Sequence, residues 1–432
     1  MSVKKPLEGI RVIEMSTFIA VPATARFFAE FGAEVIKVEP KSGDNVRFNG
    51  VSEGRLGSPY ENTTFDLENA HKKGIILNLK APEGREILFK LLADADIFLT
   101  NWRPQALEKL GLDYDSLKDR FPKLVYGSLT GYGETGPDKD LPGYDFTAFW
   151  ARSGLLGTLY QAGGEPNNLI PGIGDHTAGM NLAAGCMVAL HKAQATGVGD
   201  KVLVNLLHSA IFAQAIAVQA AQYKGLGKQY PISRSEAENP FNNTYKSSDG
   251  KFIQISMPPF DLFYPKFMPL IGREDLVGNE RYTMASITKN ELHREFIAIL
   301  EESIAKKTAA EWAEIFTKAD VPFAVAAVWE EVLEDEQAWA IEAFESVDYP
   351  TGKRAMVRQP IELTGADKLP YGKAPQLGEH SEEVLLSLGY TQEQLQALHE
   401  AGVYNTFDDV KDKCGNPDAV AELKELLAAK KR

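Results

Sequence analysis

The chain has 432 residues, with 46 Lys plus Arg against 60 Asp plus Glu, a net charge of −14. Hydrophobic residues at 44% and charged residues at 25% are ordinary globular composition, which excludes general disorder, and the length calls for more than one core. The acidic balance argues against a nucleic-acid binder, which carries a basic domain or stripe, but a local site can still accept an anionic ligand.

Two cysteines, Cys186 and Cys414, lie far apart and make neither a disulfide framework nor a CxxC knuckle. The opening MSVKKPLEGIRVIEM has two lysines but no apolar run of signal-peptide length. No stretch approaches the ~18–20 apolar residues of a membrane helix. The expectation is a soluble cytoplasmic protein.

In chain order, Gly9–Met15 reads as a buried strand, Pro22–Phe31 as a helix stopped by Gly32, and Glu34–Glu39 as a second strand. Ile75–Leu79 is a third strand. Pro82 opens a helix to about Asp94, with Glu83 and Glu86 in its first turn, where the helix dipole favours them. Asp96–Trp102 and Leu124–Leu129 are the fourth and fifth strands. This alternation predicts an α/β fold with a doubly wound parallel sheet. Gly154–Gly174 is loop, followed by an apolar helix over His176–Ala195, a strand at Val202–Leu206 and another helix over Ser209–Tyr223. Lys224–Asn243 is polar and reads as a linker. Beyond it, Thr244–Ser247 and Phe252–Met257 flank an Asp249–Gly250 turn, a hairpin signal. Helices follow near Phe260–Leu270, Lys289–Lys306 and Ala309–Ala319, then strands at Glu342–Tyr349 and Met356–Pro360. The charged tail Asp409–Arg432 reads as a solvated helix.

The first strand–helix turn, the natural ligand crevice of such a sheet, is Ser16-Thr17-Phe18-Ile19-Ala20-Val21-Pro22. It lacks the glycine fingerprint, which argues against a nicotinamide dehydrogenase. No Walker A, HExxH or GxSxG motif occurs, and the seven histidines show no ligand spacing, so no metal is expected. Three clusters remain. Gly172-Ile173-Gly174-Asp175-His176 opens the long apolar helix. Asp175 there reads either as an N-cap or as an accessible carboxylate nucleophile, with nearby backbone N–H groups able to stabilise an oxyanion. The loops Gly131–Pro137 and Pro142–Asp145 read as a ligand cradle or as plain turns. Asn78-Leu79-Lys80 and Asn101 to Lys109 follow strand ends, where Lys80, Arg103 and Lys109 read as phosphate contacts or as surface cations.

The segments LEGIRVIEM, GAEVIKVEP, LNLK, ADIFLTNWRPQALEKLGLDY, SLTGYGETGP, PGYD, GDH and APQLGEHSEEVL, in this order along nearly the whole chain, closely resemble class III CoA-transferases. Within that family ENTTFDLENAHKKGIILNLK, TNWRPQALEKLGLDY and GPDKDLPGYDFTAFWARSG look most like the 2-hydroxyacyl branch, the phenyllactate and 2-hydroxyisocaproate CoA-transferases of amino-acid fermentation. The resemblance implies that Asp175 is the nucleophile of a covalent relay through an aspartyl anhydride and an aspartyl-CoA thioester. It places CoA contacts at Lys80, Asn101, Ala106 and Lys109, the last where a relative carries arginine. Asp145 falls where relatives place an acidic residue beside the nucleophile, as an assisting carboxyl group or a loop cap. Ile19 and Pro40 replace a glutamine and an arginine of the formyl-transferring relative, and that relative's glycine-rich lid has no counterpart near Met257-Pro258-Pro259. These departures argue against oxalate or formate. Phe18, Ile19, Tyr144, Phe146, Phe149 and Trp150 suggest a pocket for a larger apolar acid; core packing is the alternative for the apolar ones. The racemases of this family use a histidine where this chain has Tyr144, a poor base near neutral pH, so racemisation is disfavoured.

By the same resemblance, the fold is a large α/β domain built from both chain ends with a small α+β domain inserted, and the assembly an interlocked homodimer. The expected boundaries are 1–223 for the first part of the large domain, 224–243 for the linker, 244–325 for the small domain and 326–432 for the return. The expected ligands are an acyl-CoA and a small carboxylic acid, with CoA as substrate and no tightly bound cofactor, nucleic acid or membrane partner.

Overall fold

The computed structural model describes residues 5–48, 56–223, 230–413 and 418–430. Cys414 and residues 224–229 of the expected linker lie outside them. The chain divides into two compact units. One comprises Met1–Ser153, Leu169–Gln214 and Glu336–Arg432, the other Gly154–Asn168 and Ala215–Asp335.

The first unit carries β1 (Arg11–Met15), α1 (Ala20–Glu30), β2 (Glu34–Glu39), α2 (Thr63–Asn69), β3 (Lys73–Leu77), α3 (Pro82–Ala93), β4 (Ile97–Thr100), α4 (Pro104–Leu110), α5 (Tyr114–Leu117), β5 (Val125–Thr130), α6 (Ile173–Thr196), β6 (Lys201–Asn205) and α7 (Leu206–Ala213). Its seven-stranded sheet runs β3-β2-β1-β4-β5-β6, all parallel, with the short strand Tyr404–Asn405 added antiparallel at the β3 edge. Strand order reverses between β1 and β4, so the loops leaving these two strands diverge and open a crevice at their carboxyl ends.

Alternate strand residues Ile13, Met15, Ile36, Val38, Ile75, Leu77 and Phe98 share one core with Ile87, Leu88, Leu91 and Leu92 of α3 and with Val384 and Leu385. The first set follows the two-residue period of a strand, the second the spacing of one helix face. Helices α1 and α6 also pack together. Thr24 Oγ1 donates to the carbonyls of Ala20 and Gly179, both at 2.9 Å. A Cβ on Gly179 would stand 2.5 Å from the Ala20 carbonyl oxygen, so glycine sets how closely α6 approaches α1.

Several boundaries differ from expectation. Helix α1 begins at Ala20, with Pro22 in its first turn, where no intrahelical N–H bond is lost. β3 ends at Leu77, because the Asn78 and Ala81 N–H groups turn to the carbonyls of Val403 and Asn78. The helix expected over Ser209–Tyr223 breaks at Gln214, whose side chain donates to the Ser153 carbonyl at 2.9 Å. The tail helix spans Ala419–Lys430 and does not reach back to Asp409. No helix among the described residues is long and apolar enough to cross a membrane.

In the second unit the hairpin Asn242–Lys246 with Phe252–Ser256 turns at Gly250, whose φ of +85° suits glycine, and Phe323–Val325 completes a three-stranded sheet. Phe241, Tyr245, Phe260, Phe267, Phe296, Trp312 and Phe316 form its core. The helix expected over Lys289–Lys306 spans His293–Ile304, and a separate helix, Met284–Lys289, ends before it, the two parted by Glu291 in a left-handed conformation (φ +54°).

Candidate active site

The crevice at the β1/β4 switch is a cleft of about 550 Å³ lined wholly by the first unit. Its base is held by Asn101, just after β4. The Thr17 N–H donates to Asn101 Oδ1 at 3.1 Å, and Asn101 Nδ2 donates to the Thr17 carbonyl at 2.7 Å. This pair ties together the loops that leave the two switch strands.

The same loop is pinned from beneath by a buried ionic cluster. Glu14 and Lys37 are register partners on β1 and β2, and Lys37 Nζ lies 2.8 Å from Glu14 Oε1 and 3.1 Å from Asp44 Oδ2. Lys72 Nζ approaches the other Glu14 oxygen at 2.6 Å. Asp44 Oδ1 then accepts from Thr17 Oγ1 at 3.0 Å and from the Phe18 N–H at 3.1 Å. Phe18 adopts φ +65°, a strained backbone for a non-glycine residue that persists only where its surroundings fix it. Burial disfavours the charge on Lys72 and brings it down to about 8, with Glu14 opposing and Lys37 reinforcing that shift. Glu14 is burdened by burial, but the two lysines outweigh it and hold the carboxyl below its usual range.

Asp175 lies at the amino end of α6, and the N-cap reading of it is overturned. Helix α6 begins at Ile173, the N-cap is Gly172 in a left-handed conformation (φ +87°), and Asp175 is the third helical residue. Asp145 does the capping. Its Oδ2 accepts from the Gly172 N–H at 2.7 Å and its Oδ1 from the Gly174 N–H at 3.1 Å. Those two N–H groups are therefore engaged and do not serve as oxyanion donors. Gly174 is required by space: an added Cβ would lie 2.2 Å from Asp145 Oδ1 and 2.3 Å from Phe149 Cγ.

The Asp175 carboxyl, freed of capping duty, lines the cleft. Burial, with the neighbouring Asp145 charge adding to it, pushes Asp175 up to about 7. Burial also raises Asp145, against the pull of its two backbone N–H donors. Beside them His176 Nε2 meets Glu68 Oε1 at 2.9 Å; Glu68 is 2% exposed and the imidazole 48%. Burial works against charge on His176, but Glu68 and Asp175 outweigh it and the imidazolium is favoured.

Of the residues singled out from sequence, Asn101, Phe18, Ile19, Tyr144, Phe146, Asp145 and Asp175 line this cleft, together with Arg103. Phe18 and Tyr144 meet edge to face at 5.4 Å, making an aromatic wall. Phe149 is buried under Gly174, and Trp150 is half-buried with no hydrogen-bond partner for Nε1 among the described residues. Lys80, Ala106 and Lys109 are exposed and do not line the cleft. Sequence reasoning missed Glu68, Lys139 and the buried ionic cluster; GDH showed His176 but not its partner. Among the described residues no group of three or more His, Cys, Asp or Glu is placed to hold a metal ion.

The cleft thus joins a partly buried carboxyl group, an apolar wall and rim cations at an α/β switch point, and residues 7–381 match CoA-transferase family III. The chain is a class III CoA-transferase. It is 54% identical, over 91% of its length and 95% of the relative's, to the cinnamoyl-CoA:phenyllactate CoA-transferase of Clostridium sporogenes. It is 41% identical, over 92% of its length and 99% of the relative's, to the (R)-2-hydroxy-4-methylpentanoate CoA-transferase of Clostridioides difficile. The transferase also resembles a solved CAIB/BAIF family protein from Brucella suis, with a TM-score of 0.74 at 29% identity over 89% of this chain and 99% of the other.

Proposed function

We propose that this transferase moves CoA from an acyl-CoA to an (R)-2-hydroxy acid, such as phenyllactate or 2-hydroxyisocaproate, by covalent catalysis at Asp175. The carrying observation is the Asp175 carboxyl, partly desolvated and unused by the helix cap, at an aromatic-walled cleft. An Asp175 oxygen attacks the thioester carbonyl, CoA thiolate leaves, and a mixed anhydride forms. The thiolate attacks the aspartyl carbonyl and releases the donor acid, leaving an aspartyl-CoA thioester. The acceptor carboxylate attacks that carbonyl and expels CoA thiolate, forming a second mixed anhydride; the thiolate then attacks the acceptor acyl carbonyl, giving the new acyl-CoA and releasing the Asp175 carboxylate. Each step exchanges one acyl bond for another, with no net proton or electron, so residue types suffice. Racemisation is not favoured, since Tyr144 takes the histidine position. Isotope exchange between an acyl-CoA and a panel of free acids tests this reading; activity confined to acids lacking the 2-hydroxyl would refute the substrate class.

Only the ionised carboxyl is nucleophilic. Since Asp175 is raised to about 7, kcat/KM for acyl-CoA is expected to rise with pH and level off above about 7, as the last proton leaves. A profile already flat from about pH 5 upwards would contradict this.

Among the described residues, Arg103 and Lys139 are the arginine and lysine that line the cleft, and both are exposed. We assign them to the CoA phosphates beside Asn101, with Lys80, Ala106 and Lys109 as outer contacts along the nucleotide. Loss of one such contact costs on the order of 1–2 kcal/mol. Arg103→Ala is therefore expected to raise KM for acyl-CoA roughly tenfold and to leave that for the free acid nearly unchanged. Equal damage to both would return Arg103 to a structural role.

The homodimer belongs to the same proposal. Val188, Leu203 and Phe212 on α6, β6 and α7 are 73%, 51% and 74% exposed. Separately, α8 (Ala215–Ala220) has no buried residue, and its Ile216 is 90% exposed. Apolar surface of this extent is usually covered by a partner. In that assembly the large domain is the unit of both chain ends, Met1–Ser153, Leu169–Gln214 and Glu336–Arg432, and the small domain the unit Gly154–Asn168 with Ala215–Asp335, in place of the expected divisions at 223, 243 and 325, in a cytoplasmic fermentation enzyme.

A further inference from the structure

The cleft faces an electrostatic difficulty. Glu68, Asp140, Asp145 and Asp175 all line it, and the free acid that must enter is itself an anion. Arg103 and Lys139 lie at the rim, on the segments after β4 and β5, while His176 adjoins the reacting carboxyl in sequence and in the cleft wall. Its Nε2 is held at 2.9 Å by Glu68, a side chain 2% exposed, yet 48% of the His176 side chain remains exposed. A histidine that donates one ring nitrogen to a buried carboxylate keeps its other nitrogen available and is biased toward the doubly protonated form.

Resting on the transferase reading above, we propose that His176, fixed by Glu68, is the cationic seat for the carboxylate of the free acid, with Glu68 as its positioning residue. The seat receives the acceptor before its attack and stabilises the donor acid as it leaves; no bond to His176 forms. Charge-assisted contacts of this kind are stronger than neutral ones and select the ionised ligand. The groups that bear on the imidazole are Glu68 from α2, Asp175 from its own helix, Asp145 from the start of the short helical segment Asp145–Ala151 and Arg26 from α1. The first three favour its charge and Arg26 opposes it. Glu68 supplies the contact, so its removal should expose the charge balance to pH.

The test uses full-length Asp175→Asn protein, whose uncharged side chain stands for the acylated aspartyl group and permits no turnover. Calorimetric titration with phenyllactate and with its primary amide, same in shape but uncharged, separates charge from fit. Adding His176→Gln is expected to weaken phenyllactate roughly tenfold and leave the amide within about twofold. Adding Glu68→Gln instead should weaken phenyllactate at pH 8 and largely restore it near pH 6, where imidazole protonates unaided. Unchanged acid affinity in both variants overturns the proposal, as does equal weakening of acid and amide, which would mark a packing role. Wild-type exchange between acyl-CoA and phenyllactate is measured alongside. Its absence would defeat the transferase reading; its presence with unaltered acid affinity in the variants would defeat only the seat.

Discussion

Asp175→Asn is expected to abolish CoA transfer and, above pH 7, to make the protein more stable. The two effects share one cause. Asp175 is the third residue of α6, and the cap is supplied by Asp145 to Gly172 and Gly174, so the substitution removes no helix cap. What it removes is a partly buried carboxyl raised to about 7 by burial and by the Asp145 charge. The folded protein holds the Asp175 proton up to about pH 7, whereas an unfolded aspartate loses it near pH 4. Stability is therefore lost as pH rises between these values, and the full cost stands above the higher one. The isosteric amide should recover on the order of 1–3 kcal/mol at pH 8, seen as a melting temperature a few degrees higher, and nothing at pH 4. Transfer should fall by roughly a thousandfold or more, the scale for losing a covalent nucleophile. Scanning calorimetry at the two pH values and a transfer assay check both halves. Retained turnover would return Asp175 to a non-catalytic residue.

The second large effect is expected at its neighbour. A Cβ on Gly174 would stand 2.2 Å from Asp145 Oδ1 and 2.3 Å from Phe149 Cγ, well inside contact distance. Neither can yield freely. Asp145 is held by two backbone N–H groups, and Phe149 is 3% exposed in the core. Gly174→Ala must therefore shift the start of α6, and the Asp175 carboxyl with it. Overpacking of this type costs ~1–3 kcal/mol, and a displacement near 1 Å at a reacting group costs roughly a hundredfold in rate. Turnover should drop by about that factor while the melting temperature falls by several degrees. Gly157→Ala, where an added Cβ would meet nothing closer than 3.7 Å, should leave both unchanged. Near-wild-type turnover in Gly174→Ala would mean that the loop before α6 does not fix the nucleophile.

The strands were legible because they are short apolar runs between clear breakers, and Glu34–Glu39 matches to the residue. Asp175 was legible as a chemical candidate but not in its local role. The start of α6 depends on Gly172 and on a carboxylate 30 residues upstream of Asp175, and no local rule joins those. The loop Ser16–Pro22 was legible as a crevice, whereas its anchorage was not. Glu14 and Lys37 look like ordinary polar interruptions of strands; only the parallel register that sets them side by side, together with Lys72 and Asp44, turns them into a buried cluster. Glu68 was hidden for the same reason, lying 108 residues from His176. Lys80 and Lys109 illustrate the opposite limit. They follow strand ends, but only the folded chain separates them, outside the cleft, from Arg103, also singled out from sequence, and from Lys139, which line it.

The central claim is that Asp175 carries the acyl group and then the CoA. In the relay, the oxygen that bridges the second anhydride comes from the acceptor carboxylate and stays on the aspartate when the acyl group leaves. Turnover with phenyllactate labelled with oxygen-18 in its carboxyl group should therefore place the isotope in the Asp175 side chain. Peptide mass mapping after digestion reads it directly. The gain is expected in the peptide holding Gly174-Asp175-His176, localised to Asp175, and absent when acyl-CoA is omitted. Isotope on another carboxylate, or turnover without any transfer of isotope to the protein, would contradict it.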